Sequence, residues 1–164
     1  MNSLDINHIS ILAPYKVLKD EGEYLFETDH GILYAVEFKE EPMFGSLTAY
    51  WFNLVNRSQK ASPNDVKIRA TVTCIIEEFF RANPDILLYL CDNANDQQAM
   101  RSRLFLRWFN GYAQQANYYI RTEMVMDEGE ENHVALIVQR SHPQLQMVIE
   151  TFDEIINQFK ANKP

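Results

Sequence analysis

The sequence predicts a single α+β domain: a mixed, mainly antiparallel sheet of about six strands with three helices, in the order βββ-α-β-α-ββ-α over residues 1–164. Three observations carry this. A chain of 164 residues is domain-sized and buries enough surface to need no disulfide or metal staple. Its apolar share is 46% and its aromatic share 12%, which supplies the side chains for a real core. Short apolar or alternating runs of strand length are interleaved with three longer stretches that repeat every 3.6 residues.

Residues 1–20 carry no sustained period and are expected to form a loosely packed N-terminal arm. Glu23–Thr28 and Ile32–Phe38 read as two strands joined at Asp29-His30-Gly31, where Gly31 is free to take a positive φ. Glu40-Glu41-Pro42 breaks the run, and Ser46–Asn56 resumes it as an aromatic-rich third strand. Ser62 followed by Pro63 then marks a helix start. Behind it Ile68, Val72, Ile75, Ile76, Phe79 and Phe80 fall on one arc, with Glu77 and Arg81 opposite as a solvent-side pair. Asn83-Pro84 ends this helix, and the continuously apolar Ile86–Cys91 reads as a strand covered on both faces.

Asn95–Ala116 is the longest expected helix, with Asn95 and Gln98 in capping-box spacing and a stripe through Met100, Leu104, Phe105, Trp108, Phe109 and Tyr112. The strand–helix–strand piece from Ile86 offers one parallel neighbour. Tyr118–Met126 and His133–Arg140 form a second hairpin over the acidic turn Asp127–Asn132, whose carboxylates lack the order a calcium loop requires. The last helix starts at His142-Pro143 and runs to about Lys160, turning Leu145, Val148, Ile149, Phe152, Ile155, Ile156 and Phe159 inward.

A formal charge of −8 argues against a broad nucleic-acid or anionic-membrane surface. The first 20 residues lack the basic segment of a secretory signal, and no apolar run approaches the ~18 residues that span a bilayer. Cys74 and Cys91 read as free thiols, so the expected location is the cytoplasm. Local signatures of catalysis are missing. The five glycines never fall within eight residues of one another, which excludes a P-loop and a dinucleotide fingerprint. His8, His30, His133 and His142 are scattered, and C-x-x-C, H-E-x-x-H and G-x-S-x-G do not occur. No catalytic residue, metal or cofactor is therefore assigned.

One segment stands out. Cys91-Asp92-Asn93-Ala94-Asn95-Asp96 joins a buried strand to the long helix. At ~100° per residue, Arg101 falls inside the apolar arc of that helix, whereas Arg103 and Arg107 fall outside it. A core-facing arginine needs an acceptor, because an unpaired buried charge is very costly. Asp92 is the nearest candidate in sequence, with Glu37 and Glu123 as others. Two readings stand. Asp92, Asp96 and Arg101 line a crevice for an anionic small ligand at the carboxyl end of a strand. Alternatively, Asp92–Arg101 is an internal ion pair, with Asn95 or Asp96 capping the helix.

Leu88-Tyr89-Leu90-Cys91-Asp92, Asp96-Gln97-Gln98, Arg101–Phe105 and Trp108-Phe109 together resemble the central signature of a small uncharacterised bacterial domain-of-unknown-function family. The resemblance implies that this strand–loop–helix is the family's defining element; it implies no activity.

Charge layout adds a weaker clue. Residues 97–122 carry Arg101, Arg103, Arg107 and Arg121 with no acid, while residues 15–45 set three lysines against eight acids. Trp51, between Tyr50 and Phe52 on the third strand, points to the opposite face from its neighbours. Trp51, Arg103, Arg107 and Arg121 are thus the candidate partner surface. The leading expectation is a non-catalytic intracellular protein-interaction domain of antitoxin, immunity or accessory type, with another protein or a second copy as partner. An enzyme or ligand binder at Asp92–Arg101 is the alternative, and nucleic-acid contact through the arginines ranks last.

Overall fold

The structure, a computed structural model, describes residues 1–92 and 115–161, apart from the side chains of Cys91, Asp92, Gln115 and Asp127. Its strands are β1 (Leu18–Asp20), β2 (Glu23–Glu27), β3 (Leu33–Glu40), β4 (Ala49–Asn56), β5 (Ile86–Asp92), β6 (Tyr118–Asp127) and β7 (Glu130–Gln139). Three α-helices lie among the described residues: α1 (Ile6–Leu12), α2 (Val66–Ala82) and α3 (Leu145–Ala161). The strands form one sheet in the order β1-β2-β3-β4-β5-β7-β6. The β1–β2, β2–β3, β5–β7 and β6–β7 pairs are antiparallel. The α+β class is as expected, with seven strands in place of six. The parallel neighbour expected between β5 and the next strand does not form, because β7 lies between β5 and β6. Of the helix expected over Asn95–Ala116, residues 95–114 lie outside the described residues, and Gln115–Asn117 form a 3₁₀ turn.

The chain divides into two compact units, residues 1–38 with 52–84, and residues 39–51 with 85–164. In the first unit, residues 1–20 are not the loose arm that their lack of period suggested. Asp5 caps α1 by accepting the Asn7 and His8 N–H groups at 3.0 and 3.2 Å. Leu4, Ile9, Tyr15 and Val17 are buried, Leu4 N–H donates to the Tyr24 hydroxyl, and Tyr15 stacks on Phe26. Packing and capping, and not periodicity, order this segment. Behind it the core is aromatic: Phe79, fully buried, stacks on Phe38 at 5.0 Å and meets Phe80 edge-on.

Helix α2 starts later than the Ser62-Pro63 signal. Asp65 is its cap, accepting Lys67 N–H at 2.9 Å, and the same carboxylate accepts the Tyr15 hydroxyl from fifty residues earlier, so the helix start is fixed by a tertiary contact as well as a local one. Val72, Ile75, Ile76, Phe79 and Phe80 of the expected stripe are buried. The Glu77–Arg81 pair is replaced: Arg81 bonds Glu78, one turn back, and Glu77 Oε1 is buried without a hydrogen-bond partner. Glu78 wins because it also faces α1, where His8 and Asp5 N–H reach it.

In the second unit β5 begins beside β4, with Ile86 N–H donating to Thr48 C=O at 3.0 Å. Ile86–Tyr89 are buried, as a strand covered on both faces requires, but Leu90 is 42% exposed. The β6–β7 turn is tighter than the acidic composition suggested. Asp127 and Glu130 are register partners, so Glu128-Gly129 alone turn the chain, with φ of 50° and 81°. Two consecutive positive φ values define the turn that best matches strand twist. Nothing lies near a Cβ built on Gly129, so Gly129→Ala meets only the conformational penalty. It is expected to lower stability by about 1–2 kcal/mol in urea unfolding, with the denaturant slope unchanged.

The core of this unit joins Phe44, Leu47 and Ala49 to Ile86 and Leu88 of β5, Val125 of β6, Val134, Leu136 and Val138 of β7, and Val148, Phe152 and Ile156 of α3. Helix α3 begins at Leu145, after His142-Pro143; of its expected stripe Val148, Phe152 and Ile156 are buried, Leu145 and Ile155 pack against the core in part, Ile149 is half-buried and Phe159 is 48% exposed.

Candidate functional site

Alternate residues of a strand share a face, so Leu88 and Leu90 of β5 stand with their register partners Leu136 and Val134 of β7. One strand further, Val125 pairs with Asn132. Helix α3 runs over this face with Phe152, Ile155, Ile156 and Phe159 one helical turn apart. The segment before β4 closes one side. There Glu41 caps the 3₁₀ turn Pro42–Phe44, its Oε1 accepting Met43 N–H at 2.9 Å, and its Oε2 accepts the Trp51 indole N–H at 2.6 Å. Between these elements lies a cavity of about 220 Å³, lined among the described residues by Glu41, Met43, Phe44, Trp51, Leu88, Leu90, Val125, Asn132, Val134, Phe152, Ile155, Ile156 and Phe159.

The lining is nearly all apolar, with Glu41 and Asn132 as its polar members. Three of its apolar side chains stay open to solvent: Met43 at 46%, Leu90 at 42% and Phe159 at 48%. They make an accessible hydrophobic rim. Trp51 is half-buried and packs against the core of this unit, so the expected partner-facing tryptophan is a wall of the cavity with its N–H satisfied.

Arg121 sits lower on the same face, between β6 and α3. It donates to Glu123 at 2.8 Å and bonds Asp153, with its guanidinium over the Phe152 ring at 5.4 Å. These acceptors, Glu123 foremost, hold its pKa above the ordinary arginine value, and it remains a cation at any working pH. This network ties the sheet to α3. Of the other residues singled out from sequence, Asp92 is placed by its backbone opposite Asn132, a lining residue, while its side chain lies outside what the structure describes. Asp96, Arg101, Arg103 and Arg107 lie outside the described residues.

Sequence reading missed Glu41, Met43, Leu90 and Phe159. Glu41 was visible only as part of a break before Pro42, and its pairing with Trp51, ten residues on, has no periodic signature. Among the described residues no group of His, Cys, Asp and Glu is arranged to hold a metal, and no helix is long and apolar enough to cross a membrane.

No curated protein and no solved structure matches the chain. Residues 64–154, more than half of the sequence, match a family of unknown function, DUF6169, and the matched region spans the Leu88–Phe109 signature; the chain belongs to that family.

Proposed function

We propose that this chain is a non-catalytic binding module whose second unit grips a bulky apolar side chain of a protein partner. The cavity carries the reading. At about 220 Å³ it falls short of the ~300–1,000 Å³ of typical small-molecule and cofactor sites and suits one large side chain. An apolar anchor in a pocket, ringed by further apolar contacts, is the arrangement that concentrates binding energy at protein interfaces, and Met43, Leu90 and Phe159 supply that ring. The chain's −8 charge and Glu41 at the cavity favour basic residues flanking the anchor. The half-buried free thiol of Cys74, which burial raises in pKa, fits action in the reducing interior of a bacterial cell, in an accessory, immunity or antitoxin role.

Selection from a displayed random-peptide library tests this. Enriched peptides are expected to carry Trp, Phe or Leu beside Lys or Arg, and to bind Leu90→Glu at least ~10-fold more weakly, since an anchor contact is worth more than 1 kcal/mol. Leu90 is exposed enough for the substitution to leave the fold intact, which circular dichroism checks. Peptides that bind wild type and Leu90→Glu equally, or no enrichment at all, would remove the reading.

A further inference from the structure

We propose that the outer edge of β6 is an interface with a second copy of this chain, the two β6 strands pairing antiparallel about a twofold axis at Thr122. The sheet's two edges are unlike. At one end β1 is three residues long, Leu-Lys-Asp, all exposed, which is how natural sheets blunt an edge. At the other end β6 runs ten residues and pairs with β7 throughout, and among the described residues no strand lies on its other side. A long open edge is a template for another strand.

Hydrogen-bond alternation shows which groups that edge offers. The two-residue turn makes Asp127 and Glu130 a hydrogen-bonded pair. Ten residues away Arg140 N–H donates to Asn117 C=O at 2.9 Å, in the same alternation. Residues 119, 121, 123, 125 and 127 therefore turn their main-chain groups to β7, and residues 120, 122, 124 and 126 turn theirs outward.

A twofold at Thr122 brings these outward groups together. Thr122 meets Thr122 of the second copy, and Ile120 meets Met124, both pairs in hydrogen-bonding positions. Met124, 43% exposed, then gains an apolar neighbour. The same register sets Arg121 opposite Glu123 of the second copy, opposite charges in directly facing positions. Glu123 Oε1 already accepts from Arg121 of its own chain, and its Oε2 faces Lys160 at 3.7 Å, so each carboxylate joins a wider basic cluster. Moving the axis to Arg121 or Glu123 sets like charges face to face, and moving it to Ile120 or Met124 shortens the overlap. Self-complementarity thus selects both the occupant, a copy of the same strand, and its register.

Sedimentation of the full chain over a concentration series is the test, with circular dichroism on each variant. Wild type is expected to sediment as a dimer. Thr122→Pro removes an outward N–H without touching the β7 ladder, and is expected to be a folded monomer. Ile120→Lys and Met124→Glu should each raise the dimer dissociation constant by about tenfold or more. The double variant, in which each introduced lysine faces an introduced glutamate of the other copy, should recover it. A wild type that is monomeric throughout, a dimer unaffected by Thr122→Pro, or a double variant no tighter than its singles would each overturn the proposal. None of these positions lines the cavity, so the outcome is independent of the peptide experiment.

Discussion

Glu78→Ala is expected to lower the unfolding free energy by about 2–3 kcal/mol, because a buried carboxylate's charged hydrogen bonds are lost while the side chains of Arg81 and His8, each 53% exposed, can turn to water. Glu78 is only 2% exposed, and three groups converge on it from two helices. Arg81 Nε donates to Oε2 at 2.8 Å, its Nη2 bonds Oε1, His8 Nδ1 lies 2.5 Å from Oε2, and Asp5 N–H reaches Oε1 at 3.3 Å. Alanine leaves the Asp5 N–H without this acceptor and opens the α1–α2 contact. Glu78→Gln keeps shape and one acceptor and should cost less. The pair also predicts an acid response. Burial pushes the Glu78 carboxyl up, but the bonds from Arg81, His8 and Asp5 outweigh it and hold the carboxyl below the usual glutamate value. Because the folded pKa is depressed, this stabilisation is fully present above the unfolded glutamate value and is lost as pH falls through the folded one. Urea unfolding between neutral pH and the acid range should show a shallower pH slope in Glu78→Gln than in wild type. A loss below about 1 kcal/mol in Glu78→Ala would put the site with ordinary surface pairs.

Glu78 also shows where sequence reading stops. The stripe of α2 was legible because burial repeats every 3.6 residues, and Val72, Ile75, Ile76, Phe79 and Phe80 are buried accordingly. Within the same helix, spacing favoured Glu77 with Arg81, yet Glu78 wins through His8, which lies seventy residues earlier. Long-range partners carry no period. The same holds for β1, whose three exposed residues have no alternation and exist as a strand only through pairing with β2. In α1 only Ile9 of seven residues is buried, too few to show a stripe. The cavity drew on six separate stretches of chain, and the one candidate site residue that lines it, Trp51, was assigned to a partner surface and forms a wall. The paired charges of Arg121, by contrast, were legible only as a count of positive residues. Sequence supplied the sign; the acceptors Glu123 and Asp153 come from register and from the docking of α3.

Phe152→Ala should cost about 3–5 kcal/mol and lower the melting temperature by on the order of 10 °C. Phe152 is 2% exposed, belongs to the core of the second unit and lines its cavity. The cost of such a truncation depends on whether the surroundings can close in. Here they resist. Leu88 and Leu136 on the facing strands are held by an unbroken β5–β7 register, and the Arg121 bonds to Glu123 and Asp153 survive loss of the ring that the guanidinium covers. The vacated ring space therefore adds to a cavity whose lining is already nearly all apolar, and an enlarged apolar cavity admits small aromatic molecules. Benzene should raise the melting temperature of Phe152→Ala by more than that of wild type, because a ligand bound only to the folded state stabilises it by mass action. Phe159→Ala is the contrast on the same helix. At 48% exposed it surrenders rim contacts and little burial, so its loss should stay below about 1 kcal/mol, while peptide binding at the cavity weakens. A Phe152→Ala variant as stable as Phe159→Ala, or one that ignores benzene, would mean that α3 settles onto the sheet when the ring is removed, and that the cavity wall is softer than its register implies.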